Sequence, residues 1–154
     1  MGHEIERKFL VRGDAYRALG TAERYRQGYV RTAGPATVRV RVAGERGFLT
    51  IKGPTQGFTR SEFEYAIPRA DAEALLDSLC ERPQIEKLRW RIPAGAHTWE
   101  VDEFLGDNAG LTVAEIELRA EGEPFARPEW LGEEVTADPR YRNSELARRP
   151  YRTW

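Results

Sequence analysis

The chain has 154 residues, with 24 Lys+Arg, 25 Asp+Glu and 2 His, for a formal net charge of −1. Charged residues are 32% of the chain, hydrophobic residues 40% and aromatics 10%, which supports one packed domain over 1–154 and argues against disorder. The charge balance speaks against bulk nucleic-acid binding, and no apolar run approaches the roughly 20 residues that span a bilayer.

The opening residues, MGHEIERKFLV, carry acids where a signal peptide carries a basic stretch and an apolar run. The single cysteine, Cys80, has no internal disulfide partner, so a cytoplasmic location is the default expectation. Period-two alternation bounded by turn residues predicts eight strands. They lie near 3–11, 24–32, 37–43, 47–53, 60–68, 86–93, 97–104 and 112–119. Turns at Gly44–Gly47 and Pro93–Ala96 predict that the third strand pairs antiparallel with the fourth, and the sixth with the seventh. Helices are few. One is expected from an Asp71 N-cap, with Ala72, Leu75, Leu76 and Leu79 on one stripe, stopping before Pro83. Shorter ones are expected over Asp14–Gly20 and Ser144–Arg149.

Successive strand residues face opposite ways, so each strand separates into an apolar and a charged face. The charged faces are Glu4/Glu6/Lys8, Arg39/Arg41, Lys52, Arg60/Glu62/Glu64, Lys87/Arg89/Arg91, Glu100/Asp102 and Glu115/Glu117. A sheet with one wet face produces such alternation without any function. Two features count against that reading. Like charges recur at i and i+2, about 7 Å apart, where mixed signs would repel less. The opposite faces are rich in Trp, Val, Ile and Phe, and a closed barrel removes the exposed edges of such a sheet. The pattern fits an α+β fold, either an antiparallel sheet with one wet face or a closed antiparallel barrel whose charged faces line a lumen under short flanking helices. Paired carboxylates there suit a hard divalent cation such as Mg²⁺, and paired Arg and Lys suit phosphate oxygens.

These residues resemble the CYTH superfamily, the triphosphate tunnel metalloenzymes. Glu4-Ile5-Glu6-Arg7-Lys8 is similar to its Glu-x-Glu-x-Lys signature, and the other charged pairs follow in order. Gly132–Thr136 and Tyr141-x-Asn143 resemble the small bacterial members. The resemblance implies an eight-stranded tunnel, Mg²⁺ or Mn²⁺, and a small-molecule triphosphate substrate. It implies metal ligation by Glu4, Glu6, Glu115 and Glu117, with Glu62, Glu64, Glu100 and Asp102 completing the acidic lining. It implies triphosphate binding by Lys8, Arg39, Arg41, Lys52, Lys87 and Arg89; Arg60 either joins them or only pairs with an acid. Tyr29 matches a tyrosine placed near the lysine corresponding to Lys87, which suggests a catalytic Tyr29–Lys87 pair. A buried lysine among cations has a lowered pKa and can act as a base.

The reaction expected is hydrolysis of inorganic tripolyphosphate to pyrophosphate and phosphate. Thiamine triphosphatase, nucleoside triphosphatase or adenylate cyclase activity on the same scaffold, or a non-catalytic polyphosphate- or nucleotide-binding module, are the alternatives. His3 and His97 are not expected to bind metal, the four tryptophans read as packing residues, and Cys80 as buried and inert. The Gly53–Gly57 loop reads as a tunnel-mouth loop. An apolar barrel exterior is compatible with a homodimer.

Overall fold

The computed structural model describes residues 2–154. The strands are β1 (Gly2–Val11), β2 (Ala22–Val30), β3 (Thr37–Ala43), β4 (Arg46–Lys52) and β5 (Thr59–Ile67), followed by β6 (Ile85–Ala94), β7 (His97–Phe104), β8 (Thr112–Glu117) and β9 (Leu131–Glu134). All pairings are antiparallel, in the order β5-β4-β3-β2-β6-β7-β8-β1-β9. A further pairing of β5 with β1 closes the first eight into a barrel. β1 makes this closure by dividing its length. Gly2–Ile5 pair with β5, Glu6–Leu10 with β8, and Phe9 and Val11 with β9.

The eight expected strands are all present. β9 is a ninth, added to β1 where β5 has left it. Four residues containing a glycine carry too little alternation to be read as a strand. Both expected hairpins form, through Gly44 (φ 58°) and Gly95 (φ 63°). Those left-handed backbone angles favour glycine because a Cβ would crowd the following carbonyl.

Most apolar faces point outwards, so most of the hydrophobic core lies outside the barrel. In the largest cluster, Phe9, Trp90, Trp99, Ile116, Trp130 and Tyr16 are buried together. The Trp99 ring meets Phe9 and Trp130 edge-on, each at 5.7 Å, a geometry the aromatic quadrupole favours. A second cluster sets Ala72 and Leu76 of α1 (Arg69–Ser78), with Cys80, against Val40 and Val42 of β3. Leu76 is fully buried there, worth about 2 kcal/mol. Helix α1 starts two residues before the expected Asp71. Pro68 occupies the N-cap position, and its carbonyl accepts from the Ala72 N–H at 3.0 Å. Asp71 falls in the first turn, where a carboxylate complements the helix dipole. Leu79 leaves the buried stripe and is exposed, because the helix ends at Ser78 and the turn brings Cys80 inward instead. The expected Asp14–Gly20 helix is a single 3₁₀ turn, Ala15–Ala18, with no side-chain cap bond from Asp14.

The third cluster positions the site. Ile85, Phe104 and Val113 stand in step with Lys87, Asp102 and Glu115, so they face the lumen. They pack against Leu146 and Ala147 of α2 (Asn143–Arg148). Helix α2 therefore plugs one end of the barrel with apolar side chains. No helix among the described residues is long and apolar enough to cross a membrane.

Candidate active site in the barrel lumen

The strand order divides the lumen wall into two arcs. β7, β8, β1 and β5 are consecutive and carry Glu100, Asp102, Glu115, Glu117, Glu4, Glu6, Glu62 and Glu64. β4, β3, β2 and β6 are also consecutive and carry Lys52, Arg39, Arg41, Lys87, Arg89 and Arg91. Lys8 and Arg60 are the cations set within the acidic arc. Together these arcs enclose a cavity of about 230 Å³. Every residue expected to bind metal or substrate lines it except Asp102, and Tyr29, Arg91, Arg142 and Asn143 line it too.

Ion pairs stitch the arcs at their two seams. At the β6–β7 seam, Asp102 is almost fully buried. Its Oδ1 accepts from Arg89 Nε at 2.6 Å, and its Oδ2 from Lys87 Nζ and Arg89 Nη2, each at 2.7 Å. Asp102 thus lies behind the lining as the counter-ion of two cations, with both oxygens engaged. Burial pushes its carboxyl up, but the Arg89 and Lys87 charges outweigh that and hold it below the usual carboxylate range. At the β4–β5 seam, Lys52 Nζ lies 2.9 Å from Glu4 and 3.6 Å from Glu62, while Arg60 Nε lies 3.4 Å from Glu4.

The basic arc holds its like charges together around an aromatic ring. Tyr25 is buried between β3 and β6, with the Arg41 and Arg89 guanidinium carbons each 4.9 Å from its ring centroid. Such cation–π contacts offset part of the repulsion, and Arg91 donates to the Tyr25 hydroxyl at 2.8 Å. Excess positive charge remains. Burial, followed by the charges of Arg39 and Arg89, pushes Arg41 down to about 9. Arg39 donates from Nη2 to Thr50 at 3.2 Å. Its Nε is buried with no acceptor, the one such side-chain atom among the described residues. An unpartnered buried donor is costly, and a bound anion would satisfy it.

The acidic arc shows the converse strain. Glu117 is partly open to solvent, yet partial desolvation and then the charges of Glu4, Glu62, Glu100 and Glu6 push it up to about 7. Burial and Glu6 also raise Glu115. Glu6 stands directly across from Glu117 in the β1–β8 ladder. Among the described residues no three His, Cys, Asp or Glu converge closely enough to hold an ion as they stand; Glu4 leans instead on Lys52 and Arg60. The donor set nonetheless fits a hard cation, because it is all carboxylate and self-repelling. Glu6, Glu115 and Glu117, with Glu4 and Glu62, are the residues that could hold one.

The direct Tyr29–Lys87 pair is not formed. Lys87 Nζ donates to Asn143 Oδ1 at 2.9 Å as well as to Asp102. Gln27 Nε2 donates to the same Asn143 oxygen at 3.2 Å and to the Tyr29 hydroxyl at 3.3 Å. Gln27 Oε1 accepts from Arg41 Nε at 3.0 Å. Tyr29 and Lys87 are thus linked through Gln27 and Asn143. Burial lowers Lys87 to about 7, with Arg89 and Arg41 adding to the effect and Asp102 opposing it.

Tyr25, Gln27, Arg142 and Asn143 were missed as site residues by sequence reasoning. Tyr25 and Gln27 share the β2 face of Tyr29, so the parity that places Tyr29 in the lumen places them there too. Arg142 and Asn143 reach the lumen only because α2 folds back over the barrel end. Tyr141-x-Asn143 was the one signal available. Of the discounted residues, His97 pairs with Glu123 at 2.6 Å and does not line the lumen. Cys80, Trp90, Trp99 and Trp130 are buried, whereas Trp154 is exposed, meeting Tyr141 and Tyr151 edge-on. Thr55 and Gly57 of the β4–β5 loop border a small cavity with Glu4, Glu6, Lys8 and Arg60.

Fold and lumen together define a closed antiparallel barrel built to hold charge inside. A model of the CYTH domain matches residues 2–151, and the chain belongs to the CYTH family. It is 52% identical over 154 residues to an inorganic triphosphatase of Acetivibrio thermocellus, covering all of this chain and 99% of that one. It is 38% identical over 149 residues to an inorganic triphosphatase of Nitrosomonas europaea, covering 94% of this chain and 96% of that one. A crystal structure described as an inorganic triphosphatase superposes with a TM-score of 0.68 at 34% identity, covering 94% of this chain and 93% of that one.

Proposed function

We propose that this chain hydrolyses inorganic tripolyphosphate to pyrophosphate and orthophosphate, with Mg²⁺ or Mn²⁺ as cofactor. The observation that carries the reading is the buried Arg39 Nε without an acceptor, beside an Arg41 whose charge is already disfavoured. Both need an anion, and the basic arc supplies several donors for a chain of phosphates. The relatives described as inorganic triphosphatases support the same substrate.

In this reading the phosphate chain lies along Arg39, Arg41, Lys52 and Arg89, with Lys8 and Arg60 reaching it from the opposite arc. A divalent ion held by Glu6, Glu115 and Glu117, with Glu4 and Glu62, would neutralise phosphate charge and polarise the terminal phosphoryl group. Substrate oxygens replace Glu4 as the partners of Lys52 and Arg60, which frees the carboxylate for the ion. With a pKa near 7, Lys87 is partly neutral at physiological pH and accepts a proton from the attacking water. Water adds to the terminal phosphorus, the bridging P–O bond breaks, and pyrophosphate leaves with that bond's electron pair. Asn143 keeps Lys87 in place, and with its Oδ1 occupied its Nδ2 is the donor available to a phosphate oxygen.

The test is phosphate release from tripolyphosphate, ATP and thiamine triphosphate under Mg²⁺, Mn²⁺ and Ca²⁺. Tripolyphosphate should be preferred, and activity should vanish on chelation. Turnover that survives both Glu4→Gln and Glu117→Gln would refute the metal assignment. A preference for ATP with cyclic AMP as product would replace the hydrolase by a cyclase.

A further inference from the structure

A second cavity of about 280 Å³ adjoins the lumen. It lies between the β2–β3 loop, the α1–β6 loop and α2. The two cavities share Tyr29, Thr37, Arg142 and Ser144, which stand between them beside the α2 plug. Three arginines line it: Arg82, Arg142 and Arg148. None of the three has a carboxylate within 4.0 Å among the described residues; Arg82 Nη2 donates only to the Asp77 backbone carbonyl, at 3.4 Å. Of the two acids on the wall, Glu81 is neutralised by Arg31 at 2.9 Å and Glu145 alone opposes the arginines. The cavity therefore carries a net positive charge of about two. Arg142 stands at the wall of both chambers, within reach of an anion in either.

We propose that this side cavity is a second oxyanion site, distinct from the lumen, and that it takes inorganic phosphate. Guanidinium groups suit a phosphate by geometry as well as charge, and the hydroxyls of Thr37 and Ser144 add neutral donors on the wall shared with the lumen. The cavity's role as a receiver of released orthophosphate rests on the proposed function. The binding site itself rests on the three arginines without a carboxylate partner around one cavity.

Calorimetric titration of inorganic phosphate at low ionic strength tests the site directly. Two equivalents should bind the native chain. Arg82→Ala/Arg148→Ala should bind one equivalent, with affinity for the lost site reduced at least about tenfold. Arg39→Ala/Lys52→Ala, which empties the lumen of two anchors, should keep the side-cavity equivalent. Kinetics give a second readout that does not depend on that variant folding. Orthophosphate should inhibit tripolyphosphate hydrolysis with a component that saturating substrate does not overcome. That component should disappear in Arg82→Ala/Arg148→Ala, whose kcat and KM without added phosphate stay unchanged. A single equivalent in the native chain, or binding unaffected by Arg82→Ala/Arg148→Ala, overturns the proposal. If the chain turned over no tripolyphosphate yet bound two equivalents, the hydrolase reading would fall and the site would stand.

Discussion

Replacing Asp102 by Asn tests whether one buried carboxylate fixes the basic arc. Asp102 accepts three hydrogen bonds of 2.6–2.7 Å from Lys87 and Arg89, and all three side chains are almost fully buried. An asparagine oxygen can accept from one of these cations, but its NH₂ then faces the donors of the other. Lys87 loses its one carboxylate and Arg89 is left with Glu100 at 3.3 Å and Glu115 at 3.9 Å, which costs about 3–5 kcal/mol. For a domain of this size each kcal/mol moves the melting temperature by about 2–4 °C, so Tm should drop by about 10 °C. The cost should also depend on pH. Lys87 has a folded pKa of about 7 against 10.5 for a free lysine. Between those values the unfolded chain binds the proton and the folded chain releases it, so this group's contribution to stability rises with pH. A variant that loses Asp102 can neutralise Lys87 at high pH but never Arg89. The deficit against the native chain should therefore be larger at pH 6 than at pH 9. Thermal melts followed by Trp fluorescence at both pH values check this. A Tm within 2 °C of native at each would refute the counter-ion role.

Glu117 gives the opposite pH trend. Its folded pKa near 7 exceeds the ordinary 4.5, so in chelator-treated protein stability should fall as pH rises from about 4.5 to 7. Glu117→Gln should flatten that slope and weaken Mg²⁺ binding, both readable from melts with and without the ion. Asn143→Asp retains an acceptor for Lys87 but replaces the Nδ2 donors with negative charge. KM for tripolyphosphate should rise at least about tenfold with little change in Tm, and a Tm loss without a KM change would make Asn143 purely structural. Gly47→Ala would bring a Cβ to 2.9 Å from both the Ile67 carbonyl oxygen and the Ala72 Cβ. Because strand and helix backbones cannot both move aside, urea unfolding should show a loss of about 1–3 kcal/mol.

The barrel was legible because alternation survives on every long strand, even where Arg39 and Arg41 are threaded between Val38, Val40 and Val42. Alternation tells which residues share a face, and from that the lumen residues follow. It does not tell which strands are neighbours. The division into acidic and basic arcs depends on β2 lying between β3 and β6, and on β1 reaching β5, β8 and β9 in turn. Asp102 has the parity of a lining acid, and only three-dimensional packing shows it behind Lys87 and Arg89. Asn143 and Arg142 were illegible as site residues for a different reason. They begin a short helix whose position depends on contacts with β6, β7 and β8, 30 or more residues earlier.

The inverted placement of the core has a consequence for how such a chain can change over generations. In most domains, the side chains that hold the fold together and those that do chemistry compete for the same interior. Here each strand alternates between the two tasks, Val40 outside and Arg39 and Arg41 inside. A substitution at an inward position alters the ligand chemistry while the outer tryptophan, leucine and valine clusters keep their contacts. The cost of exploring a new substrate is then mainly electrostatic, confined to the few seam pairs such as Lys87–Asp102–Arg89. Such a wall can be refitted from within without dismantling the building.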